Sequence, residues 1–243
     1  MKDKKKEQKA ARKKHNAALS AAKDSKRSEP SLERSAPTLI ERQAILIVCE
    51  GKNTEPSYFR KFKLANATIK PVGEGYITVS LIERAAELAE KGVYDQVWCV
   101  FDADPKPDNP QQLQNFNAAI ILANKLGFGI GYSNQAFEYW LILHFEDHQG
   151  GKMDRKFYDK KLNGYLKEYE LAYDGKASKT VSQGFFDLLW EVVKTKQGKA
   201  YTRTHLAIDR AKRNYTLLKH TSPAKEESST TVFRLVEELM KYM

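Results

Sequence analysis

Three carboxylates stand where apolar runs end. Glu50 follows residues 44–49 (AILIVC), and Asp102 and Asp104 follow residues 96–101 (QVWCVF). Short continuous apolar runs rich in β-branched residues read as buried parallel strands. In an open parallel sheet the working site lies beyond the carboxyl ends of the strands. If the extended backbone persists through Asp104, the two-residue period sets both aspartates on one side, about 6–7 Å apart. Carboxylates that converge at one rim repel unless they are protonated or bound to a cation. All-oxygen ligands suit Mg²⁺, Mn²⁺ or Ca²⁺, and the lack of a Cys/His cluster speaks against zinc. The plainer alternative is that these acids cap helices or pair with surface lysines.

Glu138, in SNQAFEYWLILHF, has Leu141, Ile142 and Phe145 at i+3, i+4 and i+7, so it shares an apolar helix stripe. A buried carboxylate is costly unless paired, hydrogen-bonded or metal-bound. The competing reading is a first-turn Glu favoured by the helix dipole. Lys52 stands beside Glu50 and could steady a phosphate. Arg203, Arg210 and Arg213, interleaved with Tyr201 and Tyr215, give one helix a basic, aromatic-dotted character that suits phosphate contact and base stacking, or simply a solvated face. Gly73 and Gly75 in VGEGY read as a turn, because neither GxxxxGK[ST] nor GxGxxG is present. His144, four residues after Trp140, reads as a core histidine, and His205 with Asp209 as a surface pair. No G-x-S-x-G elbow or Cys/His pair supports nucleophilic catalysis.

The elements that must position these residues alternate. Strands are expected at 44–49, 67–72, 96–101 and 128–132. Helices are expected to begin near Thr54 and to cover 78–91, 110–126 and 135–145. This is the pattern of βαβ units and a mainly parallel sheet. After Gly151 the spacing turns helical, near 154–169, 182–196, 200–220 and 230–243. The expected architecture is α/β, a core over 39–150 with a helical C-terminal part, 151–243, packed on it. Residues 1–38 hold 12 Lys and Arg against 5 Asp and Glu, a net +7 of the chain's +10. They carry almost no large apolar residues, and Pro30 and Pro37 interrupt helix, so they read as a basic, mobile or transiently helical arm, suited to polyanions or else simply solubilising. Cys49 and Cys99 lie in apolar runs and read as reduced core residues. No apolar stretch approaches the ~20 residues that span a bilayer, and the charged N-terminus lacks a secretory h-region. A cytoplasmic protein is expected.

The blocks ILIVCEGKNTEPSYF, VWCVFDADP, YSNQAFEYWLILHF and SSTTVFRLVEEL resemble, in order and spacing, the RloB-like family over about 42–243. That family's core is similar to Toprim domains, whose pattern is a Glu-Gly after the first strand and an Asp-x-Asp after a later one. Glu50-Gly51 and Asp102-Ala103-Asp104 match it. The resemblance implies that Glu50, Asp102 and Asp104 are metal-binding and catalytic acids, with Glu138 a further ligand, and that the protein acts in phage defence, with an ATPase as a possible partner. The last block departs from the family's Asn-Pro-Ser-Thr with Glu227-Ser228-Ser229-Thr230, where helix capping is the expected role.

The expected chemistry is Mg²⁺- or Mn²⁺-assisted phosphodiester hydrolysis of RNA or DNA. The competing class is a non-catalytic nucleic-acid-binding or sensor subunit, and dependence on a divalent metal separates the two.

Overall fold

The computed structural model describes residues 2–26, 43–71, 78–105, 109–194, 198–219 and 221–243. The turn expected at Gly73 and Gly75, and Pro30 and Pro37, lie outside these. The chain divides into two compact units, Met1–Glu41 and Arg42–Met243. In the first, Lys2–Lys26 forms one 25-residue helix, α1. Its Lys, Ala, Glu and Gln content favours helix at most positions, and the residues from Lys9 to Ala21 are all exposed. Propensity, not packing, supports it. The arm is therefore more regular here than the sequence suggests.

The second unit is built on β1 (Ile45–Cys49), whose five residues are completely buried. Its neighbours are β2 (Ala67–Pro71) on one side and β3 (Gln96–Asp102) on the other, with β4 (Gly129–Ser133) at the far edge. All pairings are parallel. Side chains alternate across a strand: Ile45, Ile47 and Cys49 enter one apolar cluster, Leu46 and Val48 the other. The first cluster takes α2 (Thr54–Arg60) through Tyr58 and Phe59, together with the C-terminal helices. The second takes α3 (Thr78–Glu90) and α4 (Pro110–Lys125). The chain thus leaves β1 toward one face and leaves the adjacent β3 toward the other. This opens a crevice at their carboxyl ends, where open α/β sheets bind ligands.

Two expected helices are shorter than their apolar patterns. The one expected over 135–145 is α5 (Glu138–Ile142), because Gln135 has φ +74° and cannot sit in a right-handed turn. The one expected over 182–196 is α7 (Gln183–Leu189), after α6 (Tyr158–Leu166). Beyond it the β-branched Val192 and Val193 pair in an antiparallel hairpin, β5 (Val192–Lys194) with β6 (Ala200–Thr202). The chain closes with α8 (Arg203–Thr216) and α9 (Val232–Met240). Among the described residues no helix is long and apolar enough to cross a membrane.

Within residues 228–231 the expected cap falls to Thr230, whose Oγ1 accepts from the Val232 N–H that opens α9 (3.3 Å). Thr231 precedes α9 without a side-chain cap bond. Its hydroxyl instead donates to the Ile130 carbonyl (3.0 Å) and accepts from the Tyr132 N–H (2.9 Å), and its own N–H donates to the Tyr132 carbonyl (2.8 Å). Thr230 bridges Ser133 in antiparallel register. The segment is a stitched edge on β4. Thr231→Val keeps the shape but strands two buried β4 backbone groups, each worth about 1–3 kcal/mol. Urea unfolding is expected to show a loss of about 2–4 kcal/mol, whereas a lost cap would cost about 0.5–2.

Candidate active site

Parallel registry brings the first two acids together. Cys49 lies opposite Val100, so the next residue, Glu50, stands beside the end of β3. The Glu50 N–H donates to the Val100 carbonyl (2.9 Å), and Glu50 Oε2 accepts from the Asp102 N–H (3.1 Å). Asp102 Oδ2 accepts from the Phe137 N–H just before α5 (3.1 Å), while Oδ1 is buried without a hydrogen-bond partner.

The extended backbone does not persist through Asp104. Its φ is +36°, its N–H donates to the Gln135 carbonyl (3.2 Å), and its carboxylate forms an ion pair with Arg155. The alternation that would set the two aspartates side by side therefore fails at the strand end. Arg155 is itself fixed by its backbone N–H, which donates to Gln135 Oε1 (2.7 Å). Glu138 stands at the same rim, its Oε1 accepting from the Tyr173 hydroxyl at 2.7 Å. Lys52 is exposed.

The structure adds Glu55, a residue the sequence reading passed over. It is 5% exposed, in the first turn of α2. A Cβ on Gly51 would lie 2.3 Å from Glu55 Oε2, so the Gly of Glu50-Gly51 makes room for this carboxyl group. Burial above all, then the charges of Glu138 and Glu50, push Glu55 up to about 7. Burial, then Glu55, Glu138 and Glu50, hold Asp102 well above the usual carboxylate range, with Arg155 partly offsetting them. For Arg155, burial works against the charge, but Asp104, Asp102 and Glu138 outweigh it and raise its pKa. Glu50, Glu55, Asp102 and Glu138 thus form one mutually repelling group, with Asp104 and Arg155 at its margin.

The three arginines of α8 face carboxylates and carbonyls of their own chain. Arg203 donates to Tyr169 Oη (2.6 Å) and Glu191, and lies over the rings of Phe145 and Tyr169. Arg210 donates to the Leu143 carbonyl (2.7 Å), and Arg213 to Asp147 Oδ1 (2.7 Å) and the His148 carbonyl (2.9 Å). They fasten α8 to the segment after α5. His144 is a core histidine: its Nδ1–H donates to the Trp140 carbonyl (3.0 Å), and burial pulls its pKa down to about 3. His205 Nδ1 bonds the Thr202 hydroxyl at 2.6 Å.

Among the described residues no three His, Cys, Asp or Glu side chains stand close enough to hold an ion as they lie. Asp104 pairs with Arg155, and Glu138 Oε1 accepts from the Tyr173 hydroxyl. The donor chemistry nevertheless fits a hard divalent cation: all donors are carboxylate oxygens, their negative charge is in excess, and one buried oxygen has no partner.

The family model described as RloB-like protein matches residues 45–239, most of the chain. No curated protein and no solved structure matches it.

Proposed function

The chain belongs to the RloB-like family, and from that premise we propose that it is a divalent-metal-dependent nuclease acting in antiphage defence. The observation that carries the reading is the Asp102 carboxylate. It lies at the crevice between β1 and β3, has one oxygen buried without a partner, and faces Glu50, Glu55 and Glu138. Such a like-charged group is unfavourable alone and becomes favourable around a cation. The Toprim resemblance implies metal-binding and catalytic roles for Glu50, Asp102 and Asp104, with Glu138 as a further ligand.

Glu50, Asp102, Asp104 and Glu138 would hold Mg²⁺ or Mn²⁺. When bound, the ion supplies charge neutralisation at the scissile phosphate and a more acidic water. The chain's own work is to hold the acids in place. The Asp102 backbone N–H fixes Glu50, and the Phe137 N–H fixes Asp102. Arg155, at the margin with its side chain 41% exposed, offers guanidinium donors that suit a phosphate. Lys52 adds an exposed cation beside Glu50. Nucleic acid is the proposed substrate, an ATPase a proposed defence partner, and the cytoplasm the proposed location.

Incubating the purified protein with labelled tRNA, single-stranded RNA and plasmid DNA in Mg²⁺, Mn²⁺ or EDTA tests the activity. Cleavage of one substrate that EDTA abolishes is expected. Tight, EDTA-insensitive binding without cleavage would instead identify a binding subunit.

The basic arm has a separate test. Deleting residues 1–38 removes +7 of charge and keeps the whole of the second compact unit, Arg42–Met243. If about five of those charges meet phosphates, the log–log salt slope of binding is expected to fall by roughly four, at about 0.7–0.9 per contact. An unchanged slope in an anisotropy titration across KCl concentrations would remove the arm from nucleic-acid binding.

A further inference from the structure

The acidic rim is not built by the strand ends alone. Tyr173, from the C-terminal half between α6 and α7, is 2% exposed and reaches the rim with its hydroxyl. A carboxylate only accepts, and a tyrosine hydroxyl has one proton. That proton therefore goes to Glu138 Oε1 (2.7 Å), while the Thr54 hydroxyl at the start of α2, whose own single proton goes to the Lys179 carbonyl, sits 3.0 Å from the tyrosine oxygen. Thr54 is 5% exposed and 2.9 Å from that carbonyl. The tyrosine backbone is held on both sides by Asn163, whose Oδ1 accepts from the Tyr173 N–H (2.9 Å) and whose Nδ2 donates to the Tyr173 carbonyl (2.8 Å). Its ring lies edge-on to Phe185 at 6.1 Å. A hydroxyl fixed this rigidly, with its proton committed to one carboxylate oxygen, sets the direction of that carboxylate.

We propose that Tyr173 is a positioning residue of the acidic site: its hydroxyl orients Glu138 for holding a divalent cation, which makes the C-terminal helical part a component of the site. The inference rests on the nuclease reading, since it requires Glu138 to act as a ligand. Hydrogen bonds that orient metal ligands typically govern metal affinity by about 10–100-fold. Tyr173→Phe removes the one donor and keeps the ring packing against Phe185.

The test is Mn²⁺ binding to the full chain, followed by the electron paramagnetic resonance of free Mn²⁺, with thermal melting as a control on folding. Tyr173→Phe is expected to weaken Mn²⁺ by about tenfold or more while melting cooperatively. Glu138→Gln is expected to weaken it further. The double variant should bind like Glu138→Gln alone, because the tyrosine acts through that carboxylate. A merely structural tyrosine would leave affinity unchanged or add its loss to that of Glu138→Gln, and either result overturns the inference. Thr54→Val removes the oxygen that stands beside the tyrosine hydroxyl without touching the ring, and a smaller loss in the same direction is expected. If Tyr173→Phe does not fold, wild-type affinity in Thr54→Val overturns the inference instead. Wild-type protein that binds no Mn²⁺ would defeat the nuclease reading and this inference with it. Wild-type binding with an unaffected Tyr173→Phe would defeat the inference alone.

Discussion

Asp102→Asn is expected to abolish metal-dependent cleavage while leaving the melting temperature in EDTA unchanged or slightly higher. The carboxylate is surrounded by Glu55, Glu138 and Glu50, and together with burial they hold its pKa well above the ordinary range. Replacing it with a neutral amide removes a like charge that the fold tolerates only at a cost. The acceptor for the Phe137 N–H is retained, since asparagine offers a carbonyl oxygen in the same place. Activity is another matter. Charge stabilisation by a bound cation supplies several kcal/mol, and at about 1.36 kcal/mol per tenfold this corresponds to a loss on the order of 10³-fold. Single-turnover cleavage and calorimetry in EDTA, then in Mg²⁺, measure both arms. The wild type should gain melting temperature from Mg²⁺, and the variant should gain less, since an ion that binds only the folded state stabilises it by mass action. Retained cleavage with a clearly lowered melting temperature would assign Asp102 to structure instead.

Much of this site can be read from residue order, and the rest fails for identifiable physical reasons. The apolar run AILIVC specifies a central strand because only a strand covered on both faces can be apolar at every position, and β1 is buried throughout. Glu50 and Asp102 follow from that, since parallel neighbours end at the same rim. Asp104 does not, because two-residue alternation holds only while the backbone stays extended, and φ of +36° ends it. Glu55 could have been found. It precedes Tyr58, Phe59 and Phe62 at i+3, i+4 and i+7, the same stripe argument that singled out Glu138. Arg155 and Tyr173 carry no such signal. Their roles depend on where the C-terminal half settles against the sheet, and long-range packing of that kind leaves no local periodicity. The α8 arginines show the converse. A basic, aromatic-dotted helix looks like a polyanion surface until its partners, Glu191, Asp147 and the carbonyls of Leu143 and His148, are known.

Glu55→Gln is expected to change how stability depends on pH, in a direction fixed by the sign of the shift. The folded-state pKa of Glu55, raised by burial and by Glu138 and Glu50, is about 7 against an ordinary 4.5. Below pH 4.5 both folded and unfolded chains carry the proton, and the group costs nothing. Between 4.5 and 7 the folded chain keeps a proton that the unfolded chain releases, so stability falls as pH rises. Above 7 the full cost is present, on the order of 3 kcal/mol at about 1.36 kcal/mol per pKa unit. Glutamine carries no charge and escapes this cost. Whatever fixed penalty its amide brings, the variant should gain on the wild type by roughly 3 kcal/mol between pH 4.5 and pH 8. In melting temperature that is about 6–12 °C, at about 2–4 °C per kcal/mol for a chain of this size. The gap should narrow in saturating Mg²⁺, because a cation among the carboxylates favours the ionised form of Glu55 and relieves the same repulsion. Parallel melting series in EDTA and in Mg²⁺ across that pH range decide the matter. A difference between the two proteins that stays constant with pH would show that Glu55 ionises as an ordinary surface carboxylate. The case for a cation-seeking acidic crevice would then lose the residue that makes its charge density unusual.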